Sequence, residues 1–427
     1  MATETLPASA ERTIPTNPVD YHFKAFPPGI SGMSLAEIPE RQWNALNGDF
    51  SLPVMVLKEK ELAHNIERMA GWCKKRGVFL APHAKTTMSP QLVHRQLEAG
   101  AWAVTVATVS QARVLAEFGV ERMIIANQVL ARSDLEWICA FRREDEAREV
   151  YVLVDSHAGV QLMDAELKIV GDVERPLPVL LELGYHQGRA GCRTTEEALA
   201  VAHAIDGSSH LDLVGVEGFE GLVPGESALH RLIAARTFLA HLAATVRDLH
   251  SAALLPTNAI VTCGGSSYFD EVVRVFIGDW EGPSIRVVLR SGCYITHDHG
   301  LYQLTSPFRD EAEPFIPALE VWATVLSVPS PGLAIVGCGR RDVPYDAGMP
   351  IPLLVRSGGV DRPPINAQVT SLNDQHLFLS FSAQDRIGVG DLVCLGISHP
   401  CSAFDRWTLI PLVDDSYRVM NAIRTYF

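Results

Sequence analysis

The chain has 427 residues, 47% of them hydrophobic, and a formal net charge of −14. That length accommodates two domains, or one large barrel with an appendage, around a sizeable core. The acidity leaves no basic stripe to follow a phosphate backbone, so nucleic acid is not an expected partner.

In chain order, "MATETLPASAERTIPTNPVDYHF" lacks a basic n-region and an apolar h-region, and no later apolar run is long enough to span a bilayer. The expectation is a cytoplasmic protein with no membrane attachment. The eight cysteines are scattered with no CxxC pair, which suits reduced thiols.

Residues 1–50 are polar and are expected to pack on a β domain further along the chain. Next, "LPVMVLKEKELAHNIERMAGWCKKRG" reads as a strand and an amphipathic helix, with Leu62, Ile66, Met69 and Cys73 on its buried face. From about Val78 to Tyr294, apolar runs rich in β-branched residues alternate with helical segments. The runs are "VFLAPHAK", "AWAVTVAT", "RMIIAN", "EVYVLVDS", "PLPVLLELG", "LDLVGVEG", "NAIVTCGG" and "SIRVVLRSG".

Eight continuous apolar strands, each followed by a helix, mean a parallel sheet covered on its faces. They favour a (β/α)8 TIM-type barrel, assigned to residues 51–305, over an open doubly wound sheet. Beyond it the texture changes to short β runs punctuated by Gly, Pro and Asp, as in "ALEVWATVLSVPSPGLAIVGCG". Residues 306–427 are therefore expected to form a second, all-β domain.

In a barrel the active site is built at the C-terminal ends of the strands, and Lys85 stands at the end of the first. A partly desolvated lysine there can form a Schiff base. The loops after the seventh and eighth strands carry "CGGSSYFD" and "RSGCY". In barrels such loops commonly hold phosphate, here through Gly264, Gly265, Ser266 and the Tyr294 hydroxyl. A phosphate and a lysine at one mouth imply pyridoxal phosphate.

In "LGISHPCSAF", His399 and Cys401 lie two apart around Pro400, which disfavours helix at His399. An extended segment would point both to one side, and imidazole with thiolate suits Zn2+. His297 and His299 in "THDHG" are either loop histidines or site residues. His83 reads as a support for the strand end.

"PHAKT", "VATVSQARVLAEFGVERMIIAN", "CGGSS", "RSGCY" and "SHPC", in that order, resemble the D-threonine aldolase / D-serine dehydratase family of alanine-racemase-like, fold type III pyridoxal phosphate enzymes. The similarity is greatest to its cryptic D-serine dehydratase, or amino acid deaminase, branch. The resemblance implies that Lys85 is the Schiff-base lysine, that Gly264, Gly265, Ser266 and Tyr294 bind phosphate, and that Arg189 lies near the pyridine ring. It also implies zinc on His399 and Cys401, and a head-to-tail homodimer. Where the family commonly has a tyrosine after the sixth strand, the chain has Phe219, flanked by Glu217 and Glu220.

The expected reaction is the zinc-assisted dehydration and deamination of a D-3-hydroxy amino acid such as D-serine, with Lys85 removing the Cα proton. A D-threonine aldolase-type cleavage to glycine and an aldehyde is the alternative within one site. A non-catalytic pyridoxal phosphate-binding protein is the alternative outside enzymes, and a racemase would need a second base.

Overall fold

The computed structural model describes residues 18–171 and 175–427 of the chain. Residues 1–17, part of the segment expected to pack on the β domain, lie outside the described residues.

Strand β1 (Val54–Lys58) leads directly into helix α1 (Glu59–Arg76). The helix opens with Glu59 and Glu61 and closes with Lys74, Lys75 and Arg76, which complements its dipole. Gly77, at φ 68°, ends it in the left-handed conformation that favours glycine. Leu62, Ile66, Met69 and Cys73 are buried as the spacing requires, together with Asn65 and Trp72.

The barrel follows. Its strands are β2 (Phe79–Leu80), β3 (Val104–Val106), β4 (Arg122–Gln128), β5 (Glu149–Val154), β6 (Leu177–Leu183), β7 (Leu211–Gly218), β8 (Ala259–Cys263) and β9 (Ile285–Leu289). They pair in parallel in the order β2-β9-β8-β7-β6-β5-β4-β3. The two ends of that path also meet: Trp102 donates its backbone N–H to the Leu80 carbonyl at 2.7 Å and Thr105 to that of Pro82 at 2.9 Å. The sheet therefore closes into the expected barrel.

Alternation along the strands divides two cores, because successive side chains point to opposite faces. Ile124, Leu153, Leu180, Ile260 and Val288 fill the interior with Trp102 and Tyr151, whereas Met123, Ile125, Val152 and Val261 face the surrounding helices.

Between the strands run α2 (Pro90–Glu98), α3 (Val109–Glu117), α4 (Arg132–Glu144), α5 (His157–Val170), α6 (Thr195–Asp206), α7 (Ala228–Ser251) and α8 (Phe269–Val273). Thr108, Ser156, Thr194 and Ser227 cap four of them by accepting a backbone N–H. Helix α8 passes directly into one π turn over Arg274–Gly278.

After α9 (Leu301–Thr305) come β10 (Leu319–Ser330), β11 (Leu333–Val336), β12 (Ile351–Ser357), β13 (Val360–Arg362), β14 (Gln368–Leu372), β15 (Leu377–Ser380), β16 (Leu392–Gly396), α10 (Cys401–Phe404), β17 (Leu409–Val413) and β18 (Val419–Arg424). The main sheet runs β13-β12-β16-β10-β1-β17-β18.

The assignment of residues 51–305 to the barrel is corrected here, because β1 lies in the middle of the β-domain sheet. It pairs antiparallel with β10 and parallel with β17. An apolar strand followed by a helix looks the same whichever sheet it joins, and only the pairing distinguishes them. Val19, Phe26, Met33, Ile38, Ala45 and Phe50 pack on this sheet against Val54, Val56, Trp322 and Tyr417. Among the described residues no helix is long and apolar enough to cross a membrane.

Candidate active site at the barrel mouth

Strand β2 is only two residues long, so Lys85 does not end it as the sequence suggested. It sits on a single 3-10 turn, Ala84–Thr86, beyond the strand. Ala84 and Thr86 are buried while Lys85 is exposed at the mouth. The turn is seated against the loop after β9. A Cβ on Gly292 would lie 2.6 Å from the His83 carbonyl and 2.8 Å from the Thr86 hydroxyl, so that close approach requires glycine.

Charged side chains form the floor below the lysine. Glu217, near the end of β7, makes a buried ion pair with Arg290, which also donates to the Gly218 carbonyl at 2.9 Å. Burial pushes the Glu217 carboxyl up to about 7, against the pull of Arg290. Burial likewise raises Glu182, which accepts a 2.6 Å bond from Gln128. Burial drives the His83 imidazole well down, and the charges of Lys85 and Arg290 add to the effect. Arg189 lies over the Phe219 ring at 5.0 Å, and its charge reaches His83, Glu182 and Glu217. The structure thus places Arg189 with the mouth residues.

Gly264, at φ 91°, turns the chain after β8. Gly264 and Gly265 donate their N–H groups to the two oxygens of Glu220, at 3.1 and 2.7 Å. Ser291 fixes the same turn from the loop after β9, donating to the Gly264 and Gly265 carbonyls at 3.1 and 2.9 Å. Ser266 follows, half-buried. The turn therefore accepts an anion, and these residues fit a phosphate, which would meet Ser266 or displace Glu220.

Tyr294 is not brought to this turn. Its buried hydroxyl accepts from the Gln96 amide at 2.9 Å, and its ring packs 5.8 Å from Phe315.

The other constellation adjoins the lysine turn. His399 and Cys401 come together, although not in an extended segment. Pro400 is helical at φ −62° and ψ −41°, and Cys401 begins α10. His399 Nδ1 meets Asp346 Oδ2 at 2.6 Å, which leaves Nε2 for a ligand, and Ser402 holds the other carboxylate oxygen at 2.5 Å.

A residue that sequence reasoning missed, Cys293, joins them. The ligand atoms of Cys293, His399 and Cys401 all lie within 4.8 Å of one another. Hydrogen bonds from Cys293 and His399 hold the Cys401 thiol well below its ordinary value, and the bond with Cys401 raises His399 to about 9. This donor set of sulfur and imidazole fits Zn2+. The Thr86 hydroxyl lies 3.4 Å from the Cys401 sulfur, so the lysine turn touches the group directly.

His297 and His299 are set apart from it among the described residues. Burial pulls both imidazoles down to about 4, and His299 packs against the end of β16 at Gly396.

Residues 57–272, half of the chain, match the family described as "Alanine racemase, N-terminal domain", and residues 318–413 match the "Putative serine dehydratase domain". A D-threonine aldolase from Arthrobacter sp is 25% identical over 302 residues, 70% of this chain and 74% of that protein. Among solved structures, D-threonine aldolase from Filomicrobium marinum superposes with a TM-score of 0.72 at 24% identity, over 88% of this chain and 95% of that one. A histidine mutant of D-threo-3-hydroxyaspartate dehydratase superposes with a TM-score of 0.72 at 22% identity, over 91% of this chain and 97% of that one.

Proposed function

Since the chain belongs to the alanine racemase N-terminal domain family, of fold type III pyridoxal phosphate proteins, we propose that it is a pyridoxal phosphate-dependent lyase that dehydrates and deaminates a D-3-hydroxy amino acid such as D-serine. The observation that carries this reading is the 3.4 Å contact between the Thr86 hydroxyl and the Cys401 sulfur, which joins the turn that bears Lys85 to the sulfur and imidazole ligands. β-Elimination removes a proton from Cα and hydroxide from the adjacent carbon. Its base and its Lewis acid must therefore stand side by side.

Bound pyridoxal phosphate supplies an electron-accepting ring conjugated to the substrate nitrogen. Lys85 would hold it, the Gly264–Ser266 turn would take its phosphate, and Arg189 would face its ring. Lys85 then removes the Cα proton. His399 and Cys401 would hold zinc, whose chemistry there is to polarise the substrate hydroxyl. Asp346 orients His399. For D-serine the overall change loses one water and regains it on hydrolysis, giving pyruvate and ammonia.

The likeness to D-threonine aldolase favours a second reading, in which the proton leaves the substrate hydroxyl and the Cα–Cβ bond breaks. Incubation with D-threonine separates the two. Dehydration yields 2-oxobutanoate and ammonia, whereas glycine and acetaldehyde without 2-oxobutanoate would sink the dehydratase. A head-to-tail homodimer is part of the proposal, and light scattering at micromolar concentration that showed only monomer would remove it.

A further inference from the structure

We propose that Cys293 is a third protein ligand of the metal, so that the site is a centre of one histidine and two cysteines with one open position. The proposal rests on the metal in the reading above and adds a residue to it.

The geometry is close to that of a tetrahedral metal site. The Cys293 and Cys401 sulfurs are 3.4 Å apart, and His399 completes a triangle no wider than 4.8 Å. Two thiolates on one tetrahedral zinc stand ~3.8 Å apart, given Zn–S bonds of about 2.3 Å. The triangle therefore needs only a small adjustment to enclose the ion.

The surroundings are equally specific. Cys293 is buried on a 3-10 turn, Cys293–Ile295, that follows β9. Asp346 occupies His399 Nδ1 and so presents Nε2. The Thr86 hydroxyl lies within reach of both sulfurs, at 3.4 Å from Cys401 and 3.8 Å from Cys293, where it can donate to a thiolate. These neighbours suit a pair of metal-bound sulfurs.

The chemical consequence concerns the metal that the site prefers. One thiolate and one imidazole leave two positions for water and permit an oxygen-preferring ion such as Mn2+. A second thiolate selects zinc and leaves a single position, which the substrate hydroxyl then takes. Cys293 lies on the barrel and Cys401 on the β domain, so the metal also ties the two domains at the mouth.

The test uses the intact holoenzyme under reducing conditions. X-ray absorption at the zinc edge counts the sulfurs without any variant: two are expected, and one overturns the proposal. Replacement of zinc by Co2+ gives a sulfur-to-cobalt band that C293S should reduce by about half, while retention of zinc against a chelator falls roughly tenfold or more. A full band in C293S, with C401S alone abolishing it, overturns the proposal and leaves the two-ligand site standing. A wild-type protein that binds neither metal removes both.

Discussion

The Arg290–Glu217 pair beneath the lysine should give R290M a stability loss that depends on pH. Glu217 is buried, and its carboxyl is raised from 4.5 to about 7 with Arg290 beside it. The folded chain therefore holds a proton on Glu217 through a range in which the unfolded chain has released it. That costs nothing below the unfolded value, and grows as pH rises from 4.5 to about 7. A shift of this size corresponds to about 3 kcal/mol at and above the upper end.

Methionine at position 290 fills similar volume but removes the opposing charge, so the folded-state value rises further and the window of loss extends upward. Near pH 6 Glu217 is protonated in the variant and the deficit stays small, of the order of 1 kcal/mol for the lost hydrogen bonds. Near pH 8 the wild-type carboxyl has ionised, one unit above its value of about 7, while the variant's has not, which adds about 1.4 kcal/mol and brings the deficit to roughly 2–3 kcal/mol. The assay is thermal unfolding of the cofactor-free protein at both pH values. Equal losses at the two would refute the role assigned to Glu217.

Asp346→Ala frees His399 Nδ1, and zinc affinity by chelator competition should fall about 10- to 100-fold with little change in melting temperature; unchanged affinity would refute the orienting role. Gly292→Ala sets a methyl 2.6 Å from the His83 carbonyl, so the lysine turn must shift. Its kcat/KM should fall more than about tenfold, with a stability loss of about 1–3 kcal/mol, and normal kinetics would show that the turn need not be seated there. Lys85→Ala should abolish both turnover and the visible band of the protein-bound cofactor. A band retained at its wild-type position would place the cofactor on another amine.

The barrel was legible because its strands are buried on both faces and read as uninterrupted apolar runs with helices between them. Lys85 could be placed at the mouth because strand order alone determines which loops gather there, whereas Arg189 was singled out only by the family resemblance. β1 was not legible as a β-domain strand, since its partners β10 and β17 lie far along the chain. Cys293 was hidden for a similar reason. It is 108 residues from Cys401, and the two meet only when the domains pack. The strand-final "RSGCY" contained the signal, but its tyrosine is the more obvious donor, and the turn directs Tyr294 to Gln96 instead. Glu220 reads in the sequence only as a nearby carboxylate. Its hold on Gly264 and Gly265 depends on a loop geometry that no periodicity encodes.

The position of β1 makes the β domain discontinuous, with the whole barrel inserted between two of its neighbouring strands, β1 and β10. The barrel is therefore tethered at both its entrance and its exit to one sheet. Beyond β18 the chain returns to the lysine's loop, where Tyr426 donates its N–H to the Met88 carbonyl at 3.0 Å. The barrel is a continuous stretch, but the β domain cannot be excised as one linear fragment, because β1 is separated in sequence from the rest of its sheet. The pivoting about a single linker by which two-domain proteins commonly open is not available to this chain. Any relative motion of barrel and β domain has to bend both connections at once, after β1 and before β10.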